Sequence, residues 1–239
     1  EAKYVVGHRY FLNDGDWEVS TLAGVYDVTL KQISARLYSV AKVEKYGYTN
    51  GPTERSRFWN PTGMAFFEGN KTIYLTDKNN HRIRSIDPIT GVTSTLAGSG
   101  VAGFKDSSDR MLAQFNYPSG IAVDASGNVY VADMHNHRIR CVTATGPVVT
   151  IAGGVAGFAN LPGTAAMFNY PTGVAAAADG TLFVADMNNH RIRKIFLDDK
   201  LNPLATNRLV VTLAGSTAGW KDAFGAYAKF HSPTGVSLH

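Results

Sequence analysis

The sequence contains a single cysteine, Cys141, among 239 residues, which excludes an internal disulfide framework. Its counterparts in two related stretches of the chain are Ser85 and Lys194, which argues against a catalytic thiol. Long hydrophobic runs are also lacking, so no transmembrane segment or signal peptide is visible in these 239 residues, and a chain that starts inside a repeat does not report on its natural N-terminus. The apolar spacing typical of α-helices is missing from most of the chain, and this disfavours a helical repeat protein.

An eight-residue string occurs three times with almost no change, at residues 77–84, 133–140 and 186–193, and its second copy reads DMHNHRIR. The copies start 56 and 53 residues apart, a period that indicates a repeat architecture. A residue present in every repeat is first of all one that the repeat needs for folding. Function is therefore expected where the repeats differ.

Two further landmarks accompany the string. A Pro-Thr-Gly or Pro-Ser-Gly triplet opens the units, at residues 61–63, 118–120, 171–173 and 233–235. A Thr-Leu-Ala-Gly or Thr-Ile-Ala-Gly string closes them, at residues 21–24, 95–98, 150–153 and 212–215. This spacing indicates that the chain begins and ends inside a repeat.

Between the landmarks, the sequence predicts four short strands per repeat. In the second full repeat, residues 120–123 are apolar and end at a turn over 124–127. Residues 128–132 are rich in β-branched and aromatic side chains, and 138–142 alternate charged with apolar residues. Residues 148–152 complete the unit.

A four-stranded antiparallel unit of this size cannot bury both faces alone, and the architecture that stacks such sheets around an axis is the β-propeller. The strings NHRIR, PTG and TLAG, with the Val-Ala-Asp that ends the second strand, resemble NHL repeats over nearly all of the chain outside residues 25–57. The resemblance implies an all-β fold of four-stranded antiparallel blades, usually about six to a ring. The chain contains about as many predicted strands as four blades need. The chain is therefore either a ring of about four blades or a fragment of a larger propeller, and we favour the fragment.

A single propeller domain is expected over residues 1–239. Its parts are a half blade at 4–24, an inserted basic segment at 25–57, blades at 61–98, 118–153 and 171–215, and an opening strand at 233–239. Four glycines are expected on inner strands near the axis, where neighbouring backbones come closest: Gly63, Gly120, Gly173 and Gly235.

The inserted segment carries +3 of the formal net charge of +4. It lies in a stretch of 36 residues between Gly24 and Pro61, whereas 19 residues separate Gly98 from Pro118. Apolar residues at helical spacing, after a Thr29-Gln32 pattern that resembles a capping box, predict a short basic helix near residues 30–44.

Strand order predicts which connections share a face. In a meander, the connection between second and third strands emerges on the same side as the connection between blades. This side, called the loop face, comprises the inserted segment, the connections 78–80, 134–136 and 187–189, and the interblade segments 99–117, 154–170 and 216–232. Loops on a rigid scaffold commonly hold binding sites. The predicted binding residues there are Lys31, Arg36, Lys42, Lys78, Phe104, Lys105, His135, Trp220 and Lys221.

The repeated charges are predicted to be structural ion pairs, because three copies are not expected of a catalytic group. The predicted pairs are Asp77 with Arg82, Asp133 with Arg138, and Asp186 with Arg191. Three repeated histidines, His81, His137 and His190, could form a zinc site, yet structural hydrogen bonding is the favoured interpretation.

Three function classes follow. By its resemblance, the chain is expected to be a non-catalytic scaffold that presents the loop face to a protein or peptide partner. The alternative is a single-stranded RNA-binding module, since some NHL propellers read RNA on a positively charged face and the pI here is about 9.1. A metal-dependent lyase or hydrolase of the amidating-lyase type is third. We predict no catalytic residue, cofactor, metal or DNA partner.

Overall fold

The computed structural model describes residues 10–11, 17–18, 47–52, 55–197 and 208–238. Three antiparallel sheets of four strands dominate these residues, and each sheet keeps its strands in chain order. The predicted all-β fold of four-stranded blades is therefore confirmed. The predicted basic helix near residues 30–44 lies outside the described residues. No helix in the described part of the chain is long and apolar enough to cross a membrane.

The strands are numbered in chain order. The first pair is β1 (Tyr10–Phe11) and β2 (Trp17–Glu18). The first blade contains β3 (Pro61–Phe67), β4 (Thr72–Asp77), β5 (Arg82–Ile86) and β6 (Thr93–Ala97). The second contains β7 (Pro118–Val123), β8 (Val129–Asp133), β9 (Arg138–Val142) and β10 (Val148–Gly153). The third contains β11 (Pro171–Ala176), β12 (Leu182–Asp186), β13 (Arg191–Ile195) and β14 (Val210–Gly215).

The hairpin between β7 and β8 shows how the sequence sets these strands. Asp124 accepts the backbone N–H groups of Ser126 and Asn128 through Oδ1, which closes the turn. Gly127 has a φ of 83°, a conformation that favours glycine. All five residues of β8 are buried, so the strand lies in the middle of the packed layers.

Hydrophobic layers fill the space between neighbouring blades. One buried cluster joins the first and second blades around Phe115, and another joins the second and third around Phe168. Both phenylalanines are fully buried. Burying one such side chain stabilises the fold by about 1.5–3 kcal/mol, so each interblade contact contributes substantially.

The first strands of neighbouring blades approach each other through the predicted glycines. A methyl group added at Gly120 would lie 2.5 Å from the carbonyl oxygen of Thr172 and 2.8 Å from the Cα of Gly173. At Gly63 it would meet the Ser119 carbonyl oxygen, and at Gly173 the backbone around Gly235. The predicted close approach is thus confirmed at these three positions. Residues 233–238 run beside β11 without strand pairing among the described residues, and their place in a further blade stays a prediction.

Candidate functional site: the loop face

The connections between second and third strands touch the interblade segments, which confirms that the two share one face. Each connection is a single 3-10 turn, at Lys78–Asn80, Met134–Asn136 and Met187–Asn189. In the second blade, the backbone N–H of His135 donates to the Asn116 carbonyl at 3.1 Å. The Asn136 side-chain amide donates to the Gly103 carbonyl at 2.8 Å.

A buried ion pair ties each turn to its blade, but the arginine differs from the predicted one. Asp133 contacts Arg140 at 2.8 Å, and neither side chain is exposed. The matching pairs are Asp77 with Arg84 and Asp186 with Arg193, both at 2.7 Å. The predicted pairings with Arg82, Arg138 and Arg191 are therefore wrong. Burial raises the pKa of Asp133, while Arg140 and the N–H donors of Asn136 and Asn116 act to lower it.

Strand geometry explains why Asp133 pairs with Arg140 and not with Arg138. Asp133 lies directly opposite Arg138 in the ladder, and Arg140 is the diagonal neighbour on the same face. Arg138 instead turns outward, and its guanidinium lies 3.7 Å from the ring centre of Phe104. The equivalent arginines make the same contact, Arg82 over Tyr48 at 3.7 Å and Arg191 over Phe158 at 4.0 Å.

The buried guanidinium of each blade lies between two aromatic rings. Arg140 is 4.9 Å from the ring centre of Phe104 and 5.0 Å from that of Phe115. Arg193 lies in the same way between Phe158 and Phe168, and Arg84 between Tyr48 and Phe58. Phe104, a predicted binding residue, is therefore engaged in packing although 44% of it is exposed.

The repeated histidines make hydrogen bonds between blades, which confirms their structural interpretation. His81, His137 and His190 have φ values of 53°, 53° and 56°. Through Nδ1 they accept the backbone N–H groups of Tyr117, Tyr170 and Ser232, at 3.1–3.2 Å. Burial, with nearby cations, lowers the pKa of His81 and of His137. No group of three or more His, Cys, Asp or Glu that could hold a metal ion occurs within the described ranges.

Three rings contact one another in a row on the loop face, and we call them the ring cluster: Tyr117, His135 and Tyr170. The ring centres of Tyr117 and His135 are 4.4 Å apart, and those of His135 and Tyr170 are 5.2 Å apart. His81 and His137 contact the two tyrosines edge-on. His135 is exposed, but its side chain is still partly buried. This partial burial, together with the positive charge of Lys78, lowers the pKa of His135.

Of the predicted binding residues, His135 belongs to the ring cluster, and the positive charge of Lys78 helps to lower its pKa. Lys105 is exposed on the same face, whereas Trp220 and Lys221 lie in the last interblade segment. Lys31, Arg36 and Lys42 lie outside the described residues. Sequence reasoning missed Tyr117 and Tyr170. The sequence did contain a difference that points to them. The residue before the opening proline is tyrosine in the two middle units, whereas it is Asn60 in the first unit and Ser232 in the last.

Comparison with known proteins agrees with these repeats. Three stretches of the chain match the NHL repeat, at residues 58–84, 115–142 and 168–195. Protein SUPPRESSOR OF QUENCHING 1, chloroplastic, from Arabidopsis thaliana is 33% identical over 193 residues, which cover 76% of this chain and 17% of that protein. NHL repeat-containing protein 2 from Gallus gallus is 28% identical over 131 residues, covering 54% of this chain and 18% of that protein. The chain thus spans less than one fifth of either relative.

A solved structure shares the fold. It is a protein of unknown function from Bacteroides thetaiotaomicron, with a TM-score of 0.57 and 17% sequence identity. The match covers 74% of this chain and 41% of that chain.

Proposed function

Because this chain belongs to the NHL-repeat β-propeller family, we propose that it is a non-catalytic interaction scaffold whose loop face binds a protein or peptide partner. The observation that carries the proposal is the ring cluster. Tyr117 and Tyr170 both have a φ of 53°, a left-handed conformation that is costly for a bulky residue and that concentrates at functional sites. Asn60 and Ser232 adopt the same conformation, so the turn itself does not require an aromatic ring.

The chemistry of the ring cluster suits a protein partner. Tyrosine gives a rigid, amphipathic contact surface and is enriched at interfaces and among the residues that dominate binding energy. Lys78 and Lys105 place positive charge on the same face. We therefore expect the bound segment to pair an apolar or aromatic side chain with a carboxylate.

A displayed peptide library selected against the protein tests this proposal. We expect selected peptides to lose about 30-fold in affinity on Tyr117→Leu or His135→Ala, the equivalent of about 2 kcal/mol for an aromatic anchor. The matched control is Ile89→Ala, because Ile89 is 72% exposed in the turn between β5 and β6, at the opposite end of a blade. Dissociation constants of purified variants give the comparison. Peptides that bind the ring variants as well as the wild type would refute the proposal, provided that all variants unfold at the same denaturant concentration.

Single-stranded RNA is a second candidate, and stacked rings beside a lysine favour it, because bases stack on aromatic side chains. RNA binding would depend strongly on salt. Reversing Lys78 and Lys105, or Lys31 and Lys42 in the inserted segment, to glutamate should then reduce the log–log salt slope by roughly one unit per lost phosphate contact. Affinity for a random single-stranded RNA pool that does not change between low and high salt would eliminate this candidate.

A further inference from the structure

A buried arginine fills part of the layer between the second and third blades. Arg208 precedes β14, is 4% exposed, and donates to the carbonyls of Thr150 and Ile151 at 3.2 and 3.1 Å. Its charge acts on Tyr130 and Cys141, which lie in the same buried cluster as Ile151. An arginine of the third blade thus closes the space against the second blade.

The corresponding space between the first and second blades is a cleft of about 320 Å³, which we call the interblade cleft. Gly146 stands four residues before Thr150, as Arg208 stands four residues before Thr212. The side chain that fills the second layer is therefore missing from the first. The residues that line the cleft match those around Arg208: Tyr74 for Tyr130, Ser85 for Cys141, and Leu96 for Ile151.

The charge around the interblade cleft is the reverse of that around Arg208. In the second layer, the Tyr130 hydroxyl donates to the Asp124 carboxylate at 3.0 Å. Phe67 occupies the position of Asp124 in the first blade, six residues after the opening proline, and no described Asp or Glu lines the cleft. A cation lines it instead, namely Arg110. The cleft is therefore suited to an anion and not to a second guanidinium.

Arg110 is specific to this layer. It begins the 3-10 turn Arg110–Leu112, whereas the turns at the same place in the next two interblade segments begin with Gly163 and Gly225. The half-buried Arg110 side chain lies over Gly146, with Nη2 3.7 Å from where a methyl group on that glycine would be. Its guanidinium makes no hydrogen bond or ion pair with any residue that the structure describes. The cation is thus available to a ligand.

A tyrosine hydroxyl is available in the same cleft. Tyr74 is 6% exposed, and its hydroxyl has no hydrogen-bond partner within the described part of the chain. Its counterpart Tyr130 has Asp124 for this purpose. A buried tyrosine hydroxyl usually finds a hydrogen-bond partner. The substitution of Phe67 for the aspartate therefore leaves Tyr74 able to bond a ligand.

We propose that the interblade cleft binds a small organic carboxylate with an aromatic or branched apolar body. The Arg110 fork pairs with the carboxylate, and the Tyr74 hydroxyl supplies a hydrogen bond to the ligand. The body packs against apolar walls formed by Leu96, Val129 and Val142. The volume of the cleft is at the lower end of the range in which proteins hold small organic ligands, about 300–1,000 Å³, so the ligand is small.

This site is separate from the ring cluster. Gly127 and Ala144, which line the cleft, belong to the turns after the first and third strands of the second blade. Those turns lie at the opposite end of the strands from the loop face. The proposal consequently does not depend on what the loop face binds.

Phenylacetate is the probe, and phenylacetamide and phenethylamine are its neutral and cationic counterparts. Methyl NMR follows their binding, because Leu96, Val129 and Val142 carry methyl groups at the cleft. We expect saturable shifts of these methyl groups with phenylacetate, and about tenfold weaker binding of the other two compounds, which cannot form a charge-assisted bond with Arg110. The methyl groups of Leu182, the counterpart of Val129 in the filled layer, should not shift.

Three variants locate the recognition. Arg110→Gln should abolish the preference for phenylacetate over phenylacetamide, and Tyr74→Phe should weaken phenylacetate binding about threefold. The matched control is Lys105→Gln, which removes an exposed positive charge from the same interblade segment and should leave binding unchanged. Urea denaturation checks that each variant is folded under the conditions of the titration.

Three results would overturn the proposal. The first is the absence of saturable methyl shifts at the cleft with any of the three compounds. The second is equal binding of the three, which would identify an apolar cavity without preference for a carboxylate. The third is tighter binding of phenethylamine, which would show that the cleft keeps the preference for a cation seen in the second layer. Each of these results would leave the proposed scaffold function of the loop face unaffected.

Discussion

Arg138 and Arg140 stand two residues apart on one strand, and their surroundings separate their roles. Arg140 is fully buried and contacts Asp133, the carbonyls of two loop residues and two aromatic rings. Arg138 covers the outer side of Phe104 and donates to the Gly153 carbonyl at 3.2 Å. Removing the buried Arg140 would leave the charge of Asp133 uncompensated. Removing the half-exposed Arg138 would let water take the place of its guanidinium group.

Arg140→Ala should lower the free energy of unfolding by about 3–5 kcal/mol, because Asp133 would lose its buried cation. The matched control is Arg138→Ala, on the same face of the same strand, which should cost clearly less. Urea denaturation of both variants measures the difference. An Arg138→Ala variant as unstable as Arg140→Ala would show that the stacked arginine, and not the buried pair, holds the blade.

The sequence predicted a structural aspartate–arginine pair but not which arginine forms it. Arg138 and Arg140 lie on the same face because side chains alternate along a strand, so periodicity could not separate them. The choice depends on the diagonal reach across the ladder and on the aromatic rings that enclose Arg140, which are supplied by a segment of the chain 25–36 residues upstream. Tertiary contacts, and not the local sequence pattern, therefore decide which arginine pairs with Asp133.

At the scale of single elements, the first strands and the 3-10 turns hold neighbouring blades together. Gly120 allows β7 to approach the backbone at Thr172, and the histidine after each turn accepts an N–H from the next interblade segment. Both features were accessible to sequence reasoning, since they recur at fixed positions. The meeting of Tyr117, His135 and Tyr170 was not, because they come from three segments whose relative placement is set by packing between blades.

Gly120→Ala should destabilise the protein by about 1–3 kcal/mol, since the added methyl group would meet backbone atoms that cannot move cheaply. Gly235→Ala is the matched control, because a methyl group there would have no described heavy atom within 4 Å. Thermal or urea unfolding of the two variants should separate them. Equal stability of the two would contradict the close approach of the first strands.

Acidification should weaken the histidine contacts. The pKa values of His81, His135 and His137 are lowered in the folded protein. The unfolded chain therefore takes up protons first, near pH 6.5, and the stabilisation present above that pH is lost as pH falls through the lower folded values. We expect the free energy of unfolding to fall between pH 7.5 and about 5.

The variant His81→Asn/His137→Asn tests this expectation. Asparagine tolerates the left-handed conformation and does not titrate. Its unfolding free energy should change less with pH than that of the wild type, as followed by urea denaturation at a series of pH values. An unchanged pH dependence would show that His81 and His137 do not cause it.

At the scale of the whole molecule, the blades are coupled because the interblade segment before each one encloses its buried arginine. Unfolding the second blade would remove β7 from β11 and displace the segment that holds Arg193. Repeat arrays with strong neighbour contacts unfold cooperatively. The sequence predicted the repeats and their strand order, but the number of blades in a ring depends on the angle between blades, which no residue pattern specifies.

The three described blades should therefore unfold in one transition. Amide hydrogen exchange in β4, β8 and β12 should report similar opening free energies, and Arg193→Ala should reduce protection in the second blade as well as the third. Loss of protection confined to the third blade would show that the blades behave independently.

The order of the buried contacts along the chain has a consequence for synthesis. The segment that receives each arginine precedes it by 25–36 residues, as residues 104–115 precede Arg140. On the ribosome, a receiving segment has already emerged when the strand that it holds is made. Each new blade can then fold onto its predecessor as translation proceeds, with the amino-terminal parts folding first. The order of these elements along the chain thus favours vectorial folding. The segment that encloses each buried aspartate–arginine pair has already been synthesised when the arginine is added.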